Sequence, residues 1–470
     1  MMSPTGFRST VSHTPRIYPL DPRQLTEEQL AVVFAMTSRR PEPFDEIAEM
    51  VTAEKAADFH ERWVLNYGHA SVAEHAIIHM AVENISRLAC DTLEDNRLAS
   101  YTEKSSRYQI IEPGYYHVPK ELSRHIAMRQ IYVDACDALF AAYERLVEGL
   151  RAYLPSVRPR QPDERDSAFN LRIRREATDS ARFLLPAATL TNVGVTMNAR
   201  SLEHAITKLV SSDLAEERWL GQALKEQGRR ITPTLVKYAD RSDYLVLSRE
   251  AQRDMSLSYA GLGDDSKAEA TLVHYDHDAE AKLVAALLYR FAQQPYAEIW
   301  KQVQHMSPLE RQKVIDRTLE GLGPHDAPVR EMESVDYTFD LVMDYGAYRE
   351  FKRHRMQTYI PQPPTGKHGY LVPPLVKDAG LQAEFEAAIG KAEDAFHTIR
   401  AQSPRAAEYL VTHAHRRRVL SKMNLRECYH LFKLRTGPEA HFSIRPVMAA
   451  AMREAQMVHP GLFKYLQLRS

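Results

Sequence analysis

One motif occurs twice in this 470-residue chain, and each copy keeps residues that the other lacks. The early copy, Asp95–Tyr108, ends in Ser-Ser-Arg-Tyr, whereas the late copy, Arg353–Pro361, begins with Arg-His-Arg. Setting Arg97 on Arg355 (355 − 97 = 258) also aligns a hydroxyl residue and a tyrosine in each copy. An internal repeat of this kind predicts two related domains that divide one function between them.

Two further pairs of segments follow the same order along the chain. Residues 68–74 resemble 324–330 at an offset of 256 (325 − 69), and 198–204 share the pattern N-x-R-x-x-x-H with 424–430 at an offset of 226 (424 − 198). The smaller late offset predicts about 30 extra residues in the first half, within 154–180.

These pairs predict two diverged copies of one domain. The first copy is predicted over 1–253 and a second, degenerate copy over 279–470, joined by a linker at 254–278 that contains Gly, Asp and Ser. Residues 1–15 are predicted to form a flexible arm. A chain of this length can bury more than one hydrophobic core.

The periodicity of apolar residues indicates a mixture of helices and strands. Apolar residues recur every three or four positions over 124–153, 279–304 and 382–399, which predicts helices. Strands are predicted at 76–82 and 334–342, each followed by a helix that leads to the repeated motif. The predicted fold class is therefore α/β.

Composition narrows the class of protein. The formal net charge is −1, so nothing draws the whole chain to nucleic acid or to a membrane surface. Three cysteines without a CxxC pair fit a reducing cytoplasm and predict no disulfide framework and no metal site. The chain has neither a signal-peptide pattern nor an apolar run of about 18 residues, so a cytoplasmic location is expected.

Several arginines have the surroundings of an anion site. Arg353, His354 and Arg355 could surround a phosphate or pyrophosphate if they end a helix, although a solvated basic helix end is the alternative. Ser105 and Arg107 place a hydroxyl beside a guanidinium. Arg182, entering an apolar segment, either reaches back to solvent or points into a site.

The N-x-R-x-x-x-H pattern places two donors on one helix face. Arg200 and His204 are one turn apart, with Asn198 at the helix start, so the three could grip a heterocycle and a phosphate. The alternative is an ordinary capped surface helix. Residues 413–418, His-Ala-His-Arg-Arg-Arg, are interpreted as an exposed helix face.

These motifs resemble those of the flavin-dependent thymidylate synthases. That family's signature is Arg-His-Arg, seven residues and then Ser, usually followed by Gly-Arg-Tyr. Arg97 and Ser105 keep this spacing, and Ser106-Arg107-Tyr108 follows. Residues 68–75 resemble the family's G-H-x-[ST]-x-x-E-H, and 196–202 resemble its V-N-A-R-S-L element.

The resemblance implies a reaction and a fold. Family members transfer a one-carbon unit from methylenetetrahydrofolate to C5 of dUMP, and FAD reduced by NADPH supplies the hydride. The implied fold is a curved sheet flanked by long helices, here in two tandem copies. Because the family forms homotetramers, the resemblance implies a homodimer with four half-domains, binding a nucleotide and a folate.

The resemblance also assigns roles to individual residues. Ser105, Arg107 and Arg182 would bind dUMP, while Arg435, near the uracil, and Ser105 would take part in the reaction. The residues expected to face FAD are His69, Ser71, Glu74, Arg97, Glu103, Asn198, Arg200 and His204 in the first copy, and Arg353, His354, Arg355, Asn424, Arg426 and His430 in the second.

Each copy departs from the family pattern at different positions. The first has Asp95-Asn96 in place of Arg-His and Leu209 in place of the substrate-side arginine. The second has Pro363 in place of the serine and Glu408 in place of the phosphate-binding arginine. These complementary losses predict a composite site in which the first copy holds most of the nucleotide.

Three functions stay open at this point. The first is reductive methylation of dUMP. The second is a flavoenzyme reaction on another pyrimidine nucleotide or base, and the third is a non-catalytic scaffold that binds flavin or nucleotide. The sequence does not decide whether folate is used, whether the changed Arg-His-Arg positions abolish activity, or which half or interface holds the intact site.

Overall fold

The structure, a computed structural model, describes residues 18, 20, 24–38, 40–66, 70–259 and 268–469. The predicted arm at 1–15 lies outside the described residues, as do residues 260–267 of the predicted linker. Within the described residues, no helix combines the length and the apolar character needed to cross a membrane.

The described residues form two compact units. The smaller unit takes its residues from 1–79, 196–207 and 222–240, and the larger unit from 80–195, 208–221 and 241–470. The larger unit therefore contains the second copy of the repeat and much of the first. Its core includes two clusters of buried apolar side chains, and a separate small cluster belongs to the smaller unit.

Helices and strands alternate along both copies. The helices are α1 Glu27–Met36, α2 Phe44–Met50, α3 Ala53–Phe59, α4 Arg87–Glu94, α5 Ile126–Val157, α6 Asp166–Ala181, α7 Ala199–Val210, α8 Ala215–Ile231, α9 Asp243–Tyr259, α10 Ala279–Ala292, α11 Tyr296–His305, α12 Pro308–Leu319, α13 Tyr345–Phe351, α14 Pro374–Asp378, α15 Gln382–Arg400, α16 Pro404–Ala407, α17 Leu425–Arg435 and α18 Ile444–Val458. The strands are β1 Ile77–Ser86, β2 Ala99–Glu103, β3 Leu190–Asn198, β4 Ala270–Tyr275, β5 Asp336–Asp344, β6 Thr358–Pro361 and β7 Arg416–Asn424.

Each copy builds a sheet with the same strand order. The first sheet has the order β1-β3-β2, and the second has the equivalent order β5-β7-β6 with β4 added beside β5. In both copies a helix follows the first strand directly (α4, α13) and another follows the last strand (α7, α17). Two tandem copies of one mixed helix-and-strand fold are therefore present, as the sequence predicted.

The offsets between the copies identify equivalent residues. α13 begins 258 residues after α4 (345 − 87), and α17 begins 226 residues after α7 (425 − 199). The difference arises in the long helices, because α5 and α6 have 32 and 16 residues whereas α15 and α16 have 19 and 4. This agrees with the predicted position of the extra residues.

The two copies meet through reciprocal backbone hydrogen bonds in the larger unit. The Ala187 N–H donates to the Val411 carbonyl at 2.8 Å, and the His413 N–H donates to the Leu185 carbonyl at 3.1 Å. Each bond becomes the other when residues are exchanged at the offset of 226. The contact therefore has pseudo-two-fold symmetry, like the interface of a symmetric dimer built into one chain.

Two of the predicted segment boundaries need correction. The predicted helix 279–304 is two helices, α10 and α11, because Gln293 adopts a positive φ of 53° and Pro295 follows two residues later. The predicted linker 254–278 includes strand β4, which pairs antiparallel with β5 and so belongs to the second sheet. The outer domain boundaries stay a prediction.

Candidate functional site

Two arginines of the first copy share one carboxylate. Arg107, in the loop after β2, places its Nε 3.0 Å from Asp179 Oδ1, and its Nη2 donates to Asp179 Oδ2 at 3.3 Å. Arg182, directly after α6, places its Nε 3.0 Å from the same Oδ1. Because Asp179 and Arg182 are three residues apart at the end of a helix, their side chains lie on the same side.

The second copy adds a further carboxylate and a further arginine to this group. Glu350, near the end of α13, accepts a hydrogen bond from Arg435 Nη1 at 3.2 Å, and its other oxygen lies 3.8 Å from Arg107 Nη1. Arg435 is the last residue of α17. We call Arg107, Asp179, Arg182, Glu350, Arg353 and Arg435 the arginine cluster.

The cluster contains a buried guanidinium donor without an acceptor. Among the described residues, Arg182 Nη2 is buried and has no hydrogen-bond partner, and the Arg182 side chain is only 7% exposed. His441 Nε2 lies 3.3 Å from Asp179 Oδ1, so this donor faces a protein carboxylate. Buried polar groups are nearly always satisfied in folded proteins, so an unpaired donor among several arginines indicates a place for an anionic ligand.

The electrostatics of Asp179 fit this interpretation. Burial would raise the pKa of Asp179, but the contacts with His441, Arg182 and Arg107 outweigh it and hold the pKa well below the ordinary value. The Asp179 carboxylate is therefore ionised at neutral pH, and its negative charge partly neutralises the positive charges of Arg107 and Arg182.

His354 orients the arginine of the second copy. Burial lowers the pKa of His354 below 6.5, so the ring is neutral at pH 7. Its Nδ1 lies 3.1 Å from Glu427 Oε1, and Arg435 Nε donates to its Nε2 at 2.9 Å. A ring with the proton on Nδ1 satisfies both contacts and fixes the Arg435 guanidinium.

Arg353, which precedes this histidine, lies at the edge of the cluster. Its side chain is exposed and has no hydrogen bond or ion pair with the described residues. The pKa of Arg435 is lowered first by burial and further by the nearby charge of Arg353. The structure thus brings the first-copy residues Arg107 and Arg182 together with the second-copy residues Arg353 and Arg435, as the composite-site prediction requires.

The aligned arginines Arg97 and Arg355 make reciprocal contacts. Arg97 Nη2 donates to the Gln357 carbonyl at 3.0 Å, and Arg355 Nη1 donates to the Ala99 carbonyl. Both residues were predicted to face FAD. In the structure, each holds the backbone of the opposite copy, which gives them a structural role whether or not they also contact a cofactor.

Glu103, also predicted to face FAD, is enclosed by protein cations. Its side chain is 3% exposed and accepts hydrogen bonds from Arg87 Nη1 at 2.8 Å, from Arg349 and from Thr191 Oγ1 at 3.0 Å. Its role toward a flavin stays a prediction.

A neighbouring group has metal-ligand residue types. Potential ligand atoms of Cys90, Glu94 and Glu103 lie within 4.8 Å of one another. Burial raises the pKa of the Cys90 thiol well above its ordinary value, and Lys352 Nζ lies 3.4 Å from Glu94. A protonated thiol and carboxylates already paired with protein cations are poor ligands, so we assign no metal to this group.

The N-x-R-x-x-x-H motif of the first copy lies in the smaller unit. Asn198 accepts a hydrogen bond from the Ser201 N–H at 2.8 Å at the start of α7, and Arg200 pairs with Glu74. Ser71 and Glu74 lie in a short 3₁₀ helix, and His204 lies in α7, one turn after Arg200. His69 lies outside the described residues.

The second copy repeats this arrangement in the larger unit. Asn424 accepts from the Glu427 N–H at 2.9 Å, and Arg426 pairs with Glu333 at 2.7 Å. His430 places its ring 5.3 Å from that of His354, which connects the motif to the arginine cluster. In both copies the asparagine caps a helix and the arginine is paired, so these two residues have structural roles whatever they bind.

Sequence reasoning missed three residues of the site. Asp179 and Glu350 each lie three positions before a predicted arginine, a helical spacing that could have marked them. His441 follows no motif, and only the folded chain brings it to Asp179.

These observations define a duplicated helix-and-strand protein in which both copies contribute residues to one arginine cluster. The sequence model of the Thy1 family, described as thymidylate synthase complementing protein, matches residues 23–234 and 271–461. These matches cover most of the chain, once for each copy. The chain belongs to the Thy1 family.

Individual relatives fall into two groups. A UPF0159 protein of Chlamydia muridarum is 31% identical over 430 residues, which cover 88% of this chain and 81% of that protein. The UPF0159 protein Ta1429 of Thermoplasma acidophilum is 29% identical over 442 residues, covering 87% of this chain and 88% of its own. A flavin-dependent thymidylate synthase of Clostridium tetani is 27% identical over 217 residues, covering 46% of this chain and 83% of its own.

Among solved structures, the chain is similar to the flavin-dependent thymidylate synthase ThyX of Helicobacter pylori complexed with FAD and dUMP, with 16% sequence identity and a TM-score of 0.32. The match covers 43% of this chain and all of that chain.

Proposed function

We propose that this protein is an FAD-dependent enzyme of the thymidylate synthase type that methylates dUMP to dTMP. The observation that carries the proposal is the convergence of Arg107 and Arg182 from one copy with Arg435 from the other, together with the unpaired buried donor Arg182 Nη2. A nucleoside monophosphate offers this group a dianion and a polar heterocycle. Membership of the Thy1 family supports the same reaction class.

Each residue of the cluster has a role in this proposal. Arg107, Arg182 and Ser105 bind the phosphate, and the Ser105 hydroxyl already contacts the Arg107 N–H at 3.3 Å. Arg435, held by His354, orients the base for attack at C5. The flavin, when bound, supplies the hydride, with NADPH and methylenetetrahydrofolate as co-substrates. The exposed Arg353 and the adjacent His430 are the second-copy residues best placed to contact it.

A second candidate substrate follows from Glu350. Glu350 already accepts a hydrogen bond from Arg435 Nη1, and a carboxylate oxygen in this position would also accept one from an exocyclic amino group. A cytosine nucleotide carries that group at C4, where uracil has a carbonyl. Titration of dCMP beside dUMP distinguishes the two, and a protein that binds nucleotide without turnover would be the non-catalytic scaffold.

The test is a visible absorption spectrum of the purified protein with FAD, repeated after addition of dUMP. We expect a flavin band that shifts with nucleotide. Arg107→Ala should abolish the shift and leave FAD bound, because Arg107 contacts only the nucleotide in this proposal. The control is Arg145→Ala, which removes a mostly exposed arginine paired with Glu384. Unchanged nucleotide binding in Arg107→Ala, or no flavin uptake by the wild type, would reject the proposal.

We also propose that two chains form a homodimer in the cytoplasm through helix α9. Tyr244, Leu247 and Met255 are 76%, 62% and 59% exposed, while Arg249 and Arg253 fix the helix through ion pairs to Asp213. A helix of this length without buried side chains is marginal alone.

A second copy of the chain fits this face of α9. Leu247 and Met255 lie four residues either side of the small residue Ala251, so a two-fold axis there would set leucine against methionine twice. With the tyrosines, the contact would cover roughly 1,000 Å², near the lower limit for a specific interface. Light scattering should show a dimer that Met255→Glu converts to a monomer, whereas Leu309→Glu, on an exposed position of α12, should not; a monomeric wild type would refute the proposal.

A further inference from the structure

The pseudo-two-fold symmetry gives every chain a second position equivalent to the arginine cluster. Residues near the first two strands correspond at an offset of 258, and residues from Asp179 onward correspond at 226. We call the equivalent residues Thr92, Asp95, Leu209, Arg405 and Glu408, with the segment 361–365, the mirror position. A symmetric protein would bind the same ligand at both.

The two positions differ in charge. The arginine cluster has four arginines and two carboxylates, a net charge of +2 (4 − 2). At the mirror position, Glu408 replaces Arg182, Asp95 replaces Arg353 and Leu209 replaces Arg435. Arg405 replaces Asp179, and Thr92 replaces Glu350. The uncharged segment 361–365 replaces the part of the chain that contains Arg107. The net charge of the mirror position is therefore −1 (1 − 2). The difference of three charges favours an anion at only one of the two positions.

The central ion pair is present at both positions with opposite polarity. Asp179 and Arg182 form an i,i+3 pair, and the equivalent Arg405 and Glu408 form an i,i+3 pair in which the charges are exchanged. The Glu408 side chain is buried in the place of the arginine that offers a free donor to a ligand. An anion at the mirror position would therefore face a buried carboxylate.

Additional carboxylates surround Arg405. Burial opposes its charge, but Glu408, Glu217 and Asp213 raise the pKa of Arg405 above its ordinary value. Glu217 is itself buried and accepts hydrogen bonds from Thr92 Oγ1 at 2.6 Å and from Ser212. The guanidinium is thus already neutralised by protein groups.

The residues that pack beside the ion pair are also apolar at the arginine cluster and polar at the mirror position. Beside the arginine cluster, the rings of Phe183 and Phe442 stack with centroids 5.6 Å apart. The equivalent residues Tyr409 and Glu216 form a buried hydrogen bond of 2.8 Å that joins the two copies. Hydrogen bonds and ion pairs between protein groups thus fill the mirror position.

We infer that each chain binds one phosphate monoester, at the arginine cluster, and that ion pairs of the protein and hydrogen bonds between the two copies fill the mirror position. Only the identity of the ligand rests on the proposed function. The charge argument applies to any phosphate monoester.

Calorimetric titration of the FAD-loaded protein with dUMP tests the stoichiometry. We expect one equivalent per chain, and two equivalents would overturn the inference. Arg182→Glu should weaken binding by at least ~100-fold, because it removes charge-assisted hydrogen bonds and adds repulsion. An equivalent that persists in Arg182→Glu would place the ligand elsewhere and would also overturn it.

The matched variant is Glu408→Gln, which removes the equivalent charge and keeps the shape. It should bind one equivalent with affinity within about twofold of the wild type, and loss of binding would overturn the inference. If the wild-type protein binds no dUMP, the proposed function fails. The same titrations with inorganic phosphate then decide the number of phosphate sites by the same criteria.

Discussion

Asp179 offers a test in which stability and ligand binding should change in opposite directions. The carboxylate lies 3.0 Å from an Nε of both Arg107 and Arg182, and 3.3 Å from His441 Nε2. Asp179→Asn keeps the shape and removes the charge, which leaves cations without a counter-charge. Breaking a buried pair costs about 3–5 kcal/mol. Because the Asp179 side chain is 19% exposed, we expect a smaller effect: the free energy of unfolding should fall by about 2–3 kcal/mol.

The same substitution should strengthen the binding of a phosphate. Asp179 competes with the ligand for Arg107 and Arg182, and removing one negative charge raises the net charge of the cluster from +2 to +3. Even with an effective dielectric constant well above that of the dry interior, this is worth about 1.4 kcal/mol, or about tenfold in dissociation constant.

Two measurements on the same preparation decide the matter. Urea unfolding of the ligand-free protein gives the loss in stability, and calorimetric titration with dUMP gives the affinity. The control is Asp316→Asn, which breaks an exposed ion pair with Lys464 and should change stability by less than about 1 kcal/mol and leave affinity unchanged. Weaker dUMP binding in Asp179→Asn would refute the reasoning, since it would mean that Asp179 orients the arginines and does not compete with the ligand.

Three further substitutions test the packing and the pH dependence of the larger unit. Gly221→Ala should destabilise the protein by about 1–3 kcal/mol, because the new Cβ would lie 2.7 Å from Val210 Cγ1 and 2.9 Å from Val210 N. Gly390→Ala, in α15 with no atom within 4 Å, should stabilise it by up to about 1 kcal/mol, and equal effects in urea unfolding would contradict this. His354→Gln should flatten the pH dependence of stability: the lowered pKa of His354 contributes stability that is present above pH 6.5 and is lost as pH falls toward the folded-state pKa. Identical slopes of unfolding midpoint against pH from 7 to about 5 would contradict the assigned burial of that ring.

The sequence was sufficient to predict the features that depend on order along the chain. Repeated patterns predicted the duplication, the extra residues near α6 and the asparagines that begin α7 and α17. A site composed of residues from both copies was also predicted, because the losses in the two copies are complementary, and the cluster of Arg107 with Arg435 has the composition that such a site would need. Residue roles toward FAD stay predictions.

The sequence was insufficient where distant residues satisfy local charges. Residues 413–418 were interpreted as an exposed helix face, which is wrong: His413 is buried, and Arg416 begins strand β7. Arg418 pairs with Asp340 on the neighbouring strand at 2.7 Å, and Arg417 lies over the ring of Tyr348. A run of basic residues suggests a solvated surface only until its partners are known, and these partners lie about 70 residues away in sequence.

The contact between the copies explains how such divergence is compatible with one fold. The reciprocal bonds of Ala187 and His413 use backbone groups, so they form whatever the neighbouring side chains are. An i,i+3 ion pair is equally neutral in either polarity, and both Asp179–Arg182 and Arg405–Glu408 satisfy their own charges. The two ion pairs differ in how they can bind an anionic ligand, because only Asp179–Arg182 leaves a guanidinium donor, Arg182 Nη2, without a protein partner. The fold therefore tolerates exchange of the charges, while the chemistry is confined to one of the two positions.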